Sequence, residues 1–308
     1  MTATRRKARV GREISSGLYY ETLGESKQHK YALLFIHGGG SSGDGFRATP
    51  DGRLGWADLL VERNFRVWLT DWPGTGRSGF RDLLKLRYDD VVEGYLSFLR
   101  DVVREPVIIL PHSMGGPITW KLVETEPDLV AGVVGIAPGY PGNLAAKNSE
   151  VLTDDGNVIT FKFGDTGVLF EIDRRRPYVY DDNYVYKQAL GSSKHFPADS
   201  IAAMRAGFTG ISPLMVLQRV GLLPGMPIIE NTEGFRGKRI RLVAGSEDPA
   251  HTRAIEERTA HLLSSWGADA KVVWLPDHGI VGNGHFLPFE LNHEQILEVI
   301  VKELQGFT

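Results

Sequence analysis

The chain of 308 residues contains no cysteine. That excludes disulfides, thiolate metal sites and a cysteine nucleophile. It has little excess charge: 35 Lys and Arg stand against 38 Asp and Glu, a net charge of -3. Such a balance gives no electrostatic case for nucleic acid or an acidic membrane as a partner. No stretch approaches the ~18 consecutive apolar residues of a membrane span. A basic run (Arg5, Arg6, Lys7, Arg9) is not followed by an apolar segment. It reads as a solvated tail rather than a targeting signal, and the expected compartment is the cytoplasm. Internal repeats and low-complexity segments are also missing. What remains is the composition of an ordinary globular protein, long enough for a large core.

The most informative stretch is Val107-Ile108-Ile109-Leu110-Pro111-His112-Ser113-Met114-Gly115-Gly116. Its apolar start reads as a buried strand, and the residues from 117 to 123 read as a helix. Ser113 therefore falls at a strand-to-helix turn, where a hydroxyl stands clear of a sheet with a helix N-terminus behind it. Serine is a weak nucleophile unless a base and an oxyanion site accompany it.

Around this stretch, apolar runs at 31–36, 65–70, 130–136, 239–244 and 271–275 read as strands. Amphipathic segments at 56–63, 88–103, 253–266 and 292–304 read as helices. A hairpin is expected over 10–23. Continuous apolar strands alternating with helices imply an α/β fold with a mostly parallel sheet covered on both faces. The alternation stops after Pro138 and resumes near 237. In between, 157–163 and 168–172 alternate as a β-hairpin, and 198–208 and 213–220 read as short helices. The expected division is a core of 1–138 and 237–308 with an inserted cap of 139–236, a segment too long for a loop.

The carboxyl ends of parallel strands share one edge, so their loops converge there. Three such loops carry Ser113, Asp248 and His285, in the order nucleophile, acid, base. His285 can accept the Ser113 proton, and Asp248 can hold its other nitrogen in the required tautomer. The amide of Met114 and an amide of the His37-Gly38-Gly39-Gly40 turn, assigned to Gly39, are the expected oxyanion donors. Glycine lets the backbone approach a substrate without a Cβ. His37 is expected to order that turn, Asp71 to anchor the turn before Pro73, His112 to pack locally and His278 to lie on the surface. Asp248 with His251 makes only a two-ligand metal site, which is set aside.

These pieces, HGGG at 37–40, DWPGTGRSG at 71–79, HSMGG at 112–116, GSEDP at 245–249 and GNGHF at 282–286, resemble the α/β-hydrolase superfamily, in its order. The likeness spans 31–304, with the cap matching least. A narrower one, over 48–56 and 279–285, is to a bacterial and fungal carboxylesterase-like subgroup. The resemblance implies an α/β-hydrolase fold with a cap, and hydrolysis of an ester, thioester or lactone of a small organic molecule. No cofactor or metal is needed. Carbon-carbon bond hydrolysis, acyl transfer, lyase chemistry and a ligand-binding receptor remain open on the same scaffold. Two departures stand out. Pro111 replaces the glycine of the elbow pattern. Residues 135–138 carry no carboxylate, where part of the subgroup has a triad glutamate, so the acid falls to Asp248 or Glu247, with Asp248 favoured. The sequence leaves the oligomeric state and the substrate undetermined.

Overall fold

The computed structural model describes residues 7–25, 28–145, 149–164 and 166–307. Arg5 and Arg6 of the basic run, and Asp165 of the expected hairpin turn, lie outside the described residues. The first strands, β1 (Arg9–Arg12) and β2 (Tyr19–Leu23), form the expected antiparallel hairpin. The fully buried strands β3 (Ala32–Ile36) and β4 (Val67–Asp71) are joined through α1 (Trp56–Glu62). Helix α2 (Tyr88–Phe98) runs on into a π turn, Leu99–Val103, before β5 (Val107–Ser113). Helix α3 (Gly115–Thr125) leads to β6 (Val130–Pro138).

The next stretch builds a separate antiparallel sheet of three strands, β7 (Glu150–Asp154), β8 (Val158–Lys162) and β9 (Leu169–Asp173). The β8–β9 hairpin matches its alternating pattern. Strand β7 escaped the sequence reading because all its residues are exposed and its pairing slips between Val151 and Thr153, leaving no alternation. A π-helical segment (Asn183–Ala189), α4 (Ile201–Ala206) and α5 (Pro213–Arg219) follow. These elements share a core that includes Phe161, Phe170, Tyr184, Met204 and Leu217, and Phe286, next to His285, packs into it. The α/β pattern then returns with β10 (Arg239–Ala244), α6 (Arg253–Ser265), β11 (Asp269–Trp274) and α7 (His293–Leu304).

The eight-stranded sheet has the order β1-β2-β4-β3-β5-β6-β10-β11 and is parallel from β4 to β11. One face packs on Tyr88, Tyr95 and Trp120 of α2 and α3, the other on Trp56, Leu60, Leu297 and Ile300 of α1 and α7. This two-sided burial is why the central strands read as unbroken apolar runs. The chain leaves β3 for β4 on one side and crosses to β5 on the other. The order therefore reverses between β3 and β5, and a crevice opens at their carboxyl ends. Among the described residues, no helix is long and apolar enough to cross a membrane.

Close packing holds α3 against the next loop. A Cβ on Gly116 would stand 2.2 Å from the Gly139 carbonyl oxygen. Gly116→Ala should therefore destabilise the fold by about 1–3 kcal/mol, as overpacking does, read as a lower urea midpoint with unchanged slope. A second expectation concerns His293, which is 1 % exposed with both ring nitrogens unpartnered. Burial, aided by the charge of Arg53, lowers its pKa from 6.5 to about 4. Between those values the unfolded chain takes up a proton that the folded chain refuses, so stability falls as pH drops through the window. His293→Leu should remove this loss, at most about 3 kcal/mol, giving a shallower decline of melting temperature from pH 7 to pH 4 than wild type.

Candidate active site

The turn after β5 is built around a serine in an unusual backbone conformation. Ser113 has φ +51, in the left-handed region, and Met114 returns to helical angles at φ -59 and ψ -10. Pro111 pairs in register with Ile36 of β3 and does not disturb this turn. The Gly139 amide donates to the Ser113 carbonyl at 2.7 Å. Glycines allow the surrounding backbone to close in. A Cβ on Gly38 would stand 2.8 Å from the Ser113 Cβ, and one on Gly115 would stand 2.6 Å from the Ile36 carbonyl oxygen. The His37–Gly40 turn thus lies directly against Ser113, at the point where the strand order reverses.

His37 fixes this turn. The Trp72 amide donates to its Nε2 at 3.0 Å, so its Nδ1 carries the hydrogen and donates to the Gly38 carbonyl at 2.7 Å. Burial lowers its pKa to about 4, which keeps the ring neutral. Gly39 lies under the Met114 sulfur and the Tyr180 hydroxyl, which would stand 2.4 Å and 2.9 Å from a Cβ there. The Thr209 amide, from the stretch after α4, donates to the Gly40 carbonyl at 2.9 Å. Asp71 accepts from the amides of Gly43 and Arg77, both at 2.8 Å, and so ties the turn after β4 to the one after β3.

His285 and Asp248 meet in the interior. His285 Nδ1 lies 2.6 Å from Asp248 Oδ2, and both residues are buried. The other oxygen, Oδ1, accepts from the Ala250 amide at 2.9 Å. Burial alone would raise the Asp248 pKa, but the neighbouring charges of His285 and His251 hold it at about 2. Glu247 is not at this contact: its carboxylate accepts from Ser246, and its amide donates to the Asn283 carbonyl. The acid beside His285 is therefore Asp248.

The loop bearing His285 is suspended between two supports. On the sheet side, the Gly282 amide donates to Ser246 Oγ at 2.9 Å. On the other side, the His285 amide donates to the Ala189 carbonyl at 3.2 Å, and the Lys194 amide donates to the Gly282 carbonyl at 2.8 Å. Buried Glu290 accepts from the Gly284 amide at 2.7 Å and from the Ser193 hydroxyl at 2.5 Å. His112, next to Ser113, donates from Nε2 to the His285 carbonyl at 3.1 Å. Burial, and then the charge of His285, push its pKa well below the usual value.

Ser113, Met114 and His285 line one cavity, of which about 50 Å³ is open to a water molecule. Its other walls include Phe163, Tyr180, Tyr184, Arg219 and His251. The sequence reading missed Arg219, which carries no motif. It read the tyrosines at 178–186 chiefly as packing and kept contact with a substrate open; Tyr180 and Tyr184 line the cavity. Arg174 pairs with Asp154, and Arg175 and Arg176 pair with Asp173; none of the three lines the cavity. His278 is exposed, as expected.

His251 is the larger surprise. Its ring stacks on His285 at 5.1 Å, and its Nδ1 lies 2.7 Å from Glu256 Oε1. The donor atoms of Asp248, His251 and His285 lie within 4.8 Å of one another, so a third candidate ligand does stand beside the two seen in the sequence. Three nitrogen and oxygen donors are the number a catalytic zinc takes from the protein. Here, however, each imidazole already faces a carboxylate, and a cation would compete with both of those hydrogen bonds.

Comparison with known proteins agrees with this architecture. A profile of the alpha/beta hydrolase family matches residues 33–299. The probable secreted lipase phiG of Fungal sp. (strain ATCC 74256) is 23% identical over 341 residues, spanning 92% of this chain and 84% of that protein. Epoxide hydrolase B of Mycobacterium tuberculosis (strain ATCC 25618 / H37Rv) is 31% identical over 84 residues, only 27% of this chain and 24% of that one. Among solved structures, the monoacylglycerol lipase of Paleococcus ferrophilus aligns with a TM-score of 0.60 at 18% identity, over 94% of this chain and 99% of that one. A novel bacterial esterase aligns with a TM-score of 0.56 at 13% identity, over 94% and 86% of the two chains. At such identities the structural likenesses speak for the fold, while the profile match extends over most of the sequence: the chain belongs to the alpha/beta hydrolase family.

Proposed function

We propose that the protein hydrolyses a carboxylic ester of a small organic molecule through an acyl-enzyme on Ser113. The observation that carries this reading is the 2.6 Å contact between His285 Nδ1 and Asp248 Oδ2, in a pair whose histidine shares a cavity with Ser113. The lipase and esterase names of the relatives favour an ester over the other bonds this scaffold can cleave.

In the proposed course, Ser113 Oγ attacks the ester carbonyl as its proton passes to His285 Nε2. Asp248 keeps the Nδ1 hydrogen in place and stabilises the imidazolium. The amides of Met114 and Gly39 stabilise the oxyanion, each donor being worth ~2.7–4 kcal/mol in such sites. His285 then gives its proton to the departing alkoxide. Water enters, loses a proton to His285 and attacks the acyl carbonyl. The collapse of that second intermediate returns Ser113 with its hydrogen and releases the acid. Residues 139–236 act in this reading as a cap over the cavity, since Phe163, Tyr180, Tyr184 and Arg219 all come from that stretch. The cytoplasm remains the proposed compartment, with cell fractionation as its test.

Hydrolysis of p-nitrophenyl esters of increasing acyl length, with intact mass after organophosphonate treatment, tests the reading. Wild type should turn over a short ester and gain one adduct at Ser113. Ser113→Ala should gain none and lose kcat by at least about 10⁴-fold. A Ser113→Ala variant that keeps its activity would sink the assignment. Asp248→Asn should lower kcat by about 10³–10⁴-fold, while Glu247→Gln should stay near wild type. The reverse order would move the acid to Glu247.

A further inference from the structure

The proposed mechanism leaves one hydroxyl over the glycine turn without a role. Tyr180 lies in the stretch between β9 and the π-helical segment. Its hydroxyl oxygen is 2.9 Å from the point where a Cβ on Gly39 would stand, and its ring edge is 2.7 Å from the same point on Gly40. The phenol therefore occupies room that exists because both residues lack a Cβ. This turn is the one whose Gly39 amide serves the oxyanion in the proposed course. Tyr180 also lines the cavity that Ser113, Met114 and His285 share.

The ring is held in that position. It stacks on Tyr184 at 3.5 Å and 9°, and it meets Tyr178 and Phe208 edge to face at 5.7 Å and 5.3 Å. The backbone two residues earlier is pinned as well, since the amides of Tyr178 and Ile211 donate to each other's carbonyls at 2.9 Å and 2.8 Å. A donor fixed in advance needs no reorganisation when charge develops beside it. Burial pushes the Tyr180 pKa up to about 12, so the phenol keeps its hydrogen at neutral pH. The Tyr184 hydroxyl bonds to that of Tyr180. A phenol can accept one hydrogen while it donates its own. With an oxyanion in the cavity the pair orders as a chain, Tyr184 donating to Tyr180 and Tyr180 to the anion, and each bond in such a chain strengthens the next.

We propose that Tyr180 is a third oxyanion donor, acting with the amides of Met114 and Gly39, and that Tyr184 supports it from behind. The proposal rests on Ser113 being the nucleophile. It makes Tyr180 a catalytic residue, where simple packing on the turn would need only its ring.

Tyr180→Phe separates these roles, because it removes the hydroxyl and keeps the ring. With the p-nitrophenyl ester that wild type prefers, kcat and kcat/KM should fall together by at least about 10-fold, leaving KM nearly unchanged, as expected for a bond made only in the transition state. The second readout is inhibition by 1,1,1-trifluoro-2-hexanone. Ser113 Oγ adds to its carbonyl carbon, the serine proton passes to His285, and the carbonyl oxygen becomes a stable oxyanion. Its inhibition constant should rise in Tyr180→Phe by about the factor that kcat/KM falls. Tyr184→Phe should show the same parallel loss, smaller in size, and carries the test if Tyr180→Phe does not fold. A melting temperature near that of wild type reports an intact fold. A Tyr180→Phe variant within about 2-fold of wild type in kcat and in inhibition, or one altered in KM alone, overturns this proposal and leaves the nucleophile reading standing. Wild type with neither ester turnover nor a phosphonate adduct at Ser113 overturns the nucleophile reading, and this proposal with it.

Discussion

The site depends on one backbone conformation. Ser113 is held in the left-handed region, which ordinarily costs a residue with a side chain ~1–3 kcal/mol and persists only when its surroundings impose it. Here they do so from three sides. The turn after β3 presses on Ser113 through Gly38, α3 begins immediately behind it, and the chain leaving β6 grips its carbonyl through Gly139. Each neighbour can come so close because it has no Cβ. The glycines, the reversal of strand order and the half-buried serine at the head of a helix are thus parts of one geometric solution.

Electrostatics then divides the four buried histidines around the site by the partner each one meets. His37 and His112 donate to backbone carbonyls, carry no paired carboxylate, and are kept neutral by burial. His285 and His251 each face a buried carboxylate. A carbonyl dipole orients a ring without charging it, whereas a carboxylate stabilises the imidazolium. Four copies of one side chain therefore fall into two rings fixed by a carbonyl and two that face a carboxylate.

Much of this was legible in the sequence, for physical reasons. The central strands are buried on both faces, so β3, β4, β5, β6 and β10 could be read as apolar runs to within a residue or two at most ends. Ser113, Asp248 and His285 stood out because they follow strands whose carboxyl ends must share an edge. What stayed hidden lacks a periodic or local signal. Strand β7 buries nothing, and the π turn after α2 keeps an ordinary helical pattern. His251 and Glu256 lie in one short stretch, yet only the fold aims the ring at His285. Arg219 is one arginine among many until α5 carries it to the cavity wall.

The suspension of the His285 loop has a consequence for redesign as well as for chemistry. Ala189 and Lys194 hold that loop directly, Ser193 holds it through Glu290, and Thr209 holds the turn beside Ser113. Residues 139–236 could therefore not be exchanged for an unrelated stretch of similar size without loosening the site. A graft that restored the outer wall but not these four attachments would leave the histidine and the glycine turn unsupported. Substitutions within residues 139–236 can therefore alter the cavity wall and leave these attachments in place, whereas replacing the stretch whole would remove them.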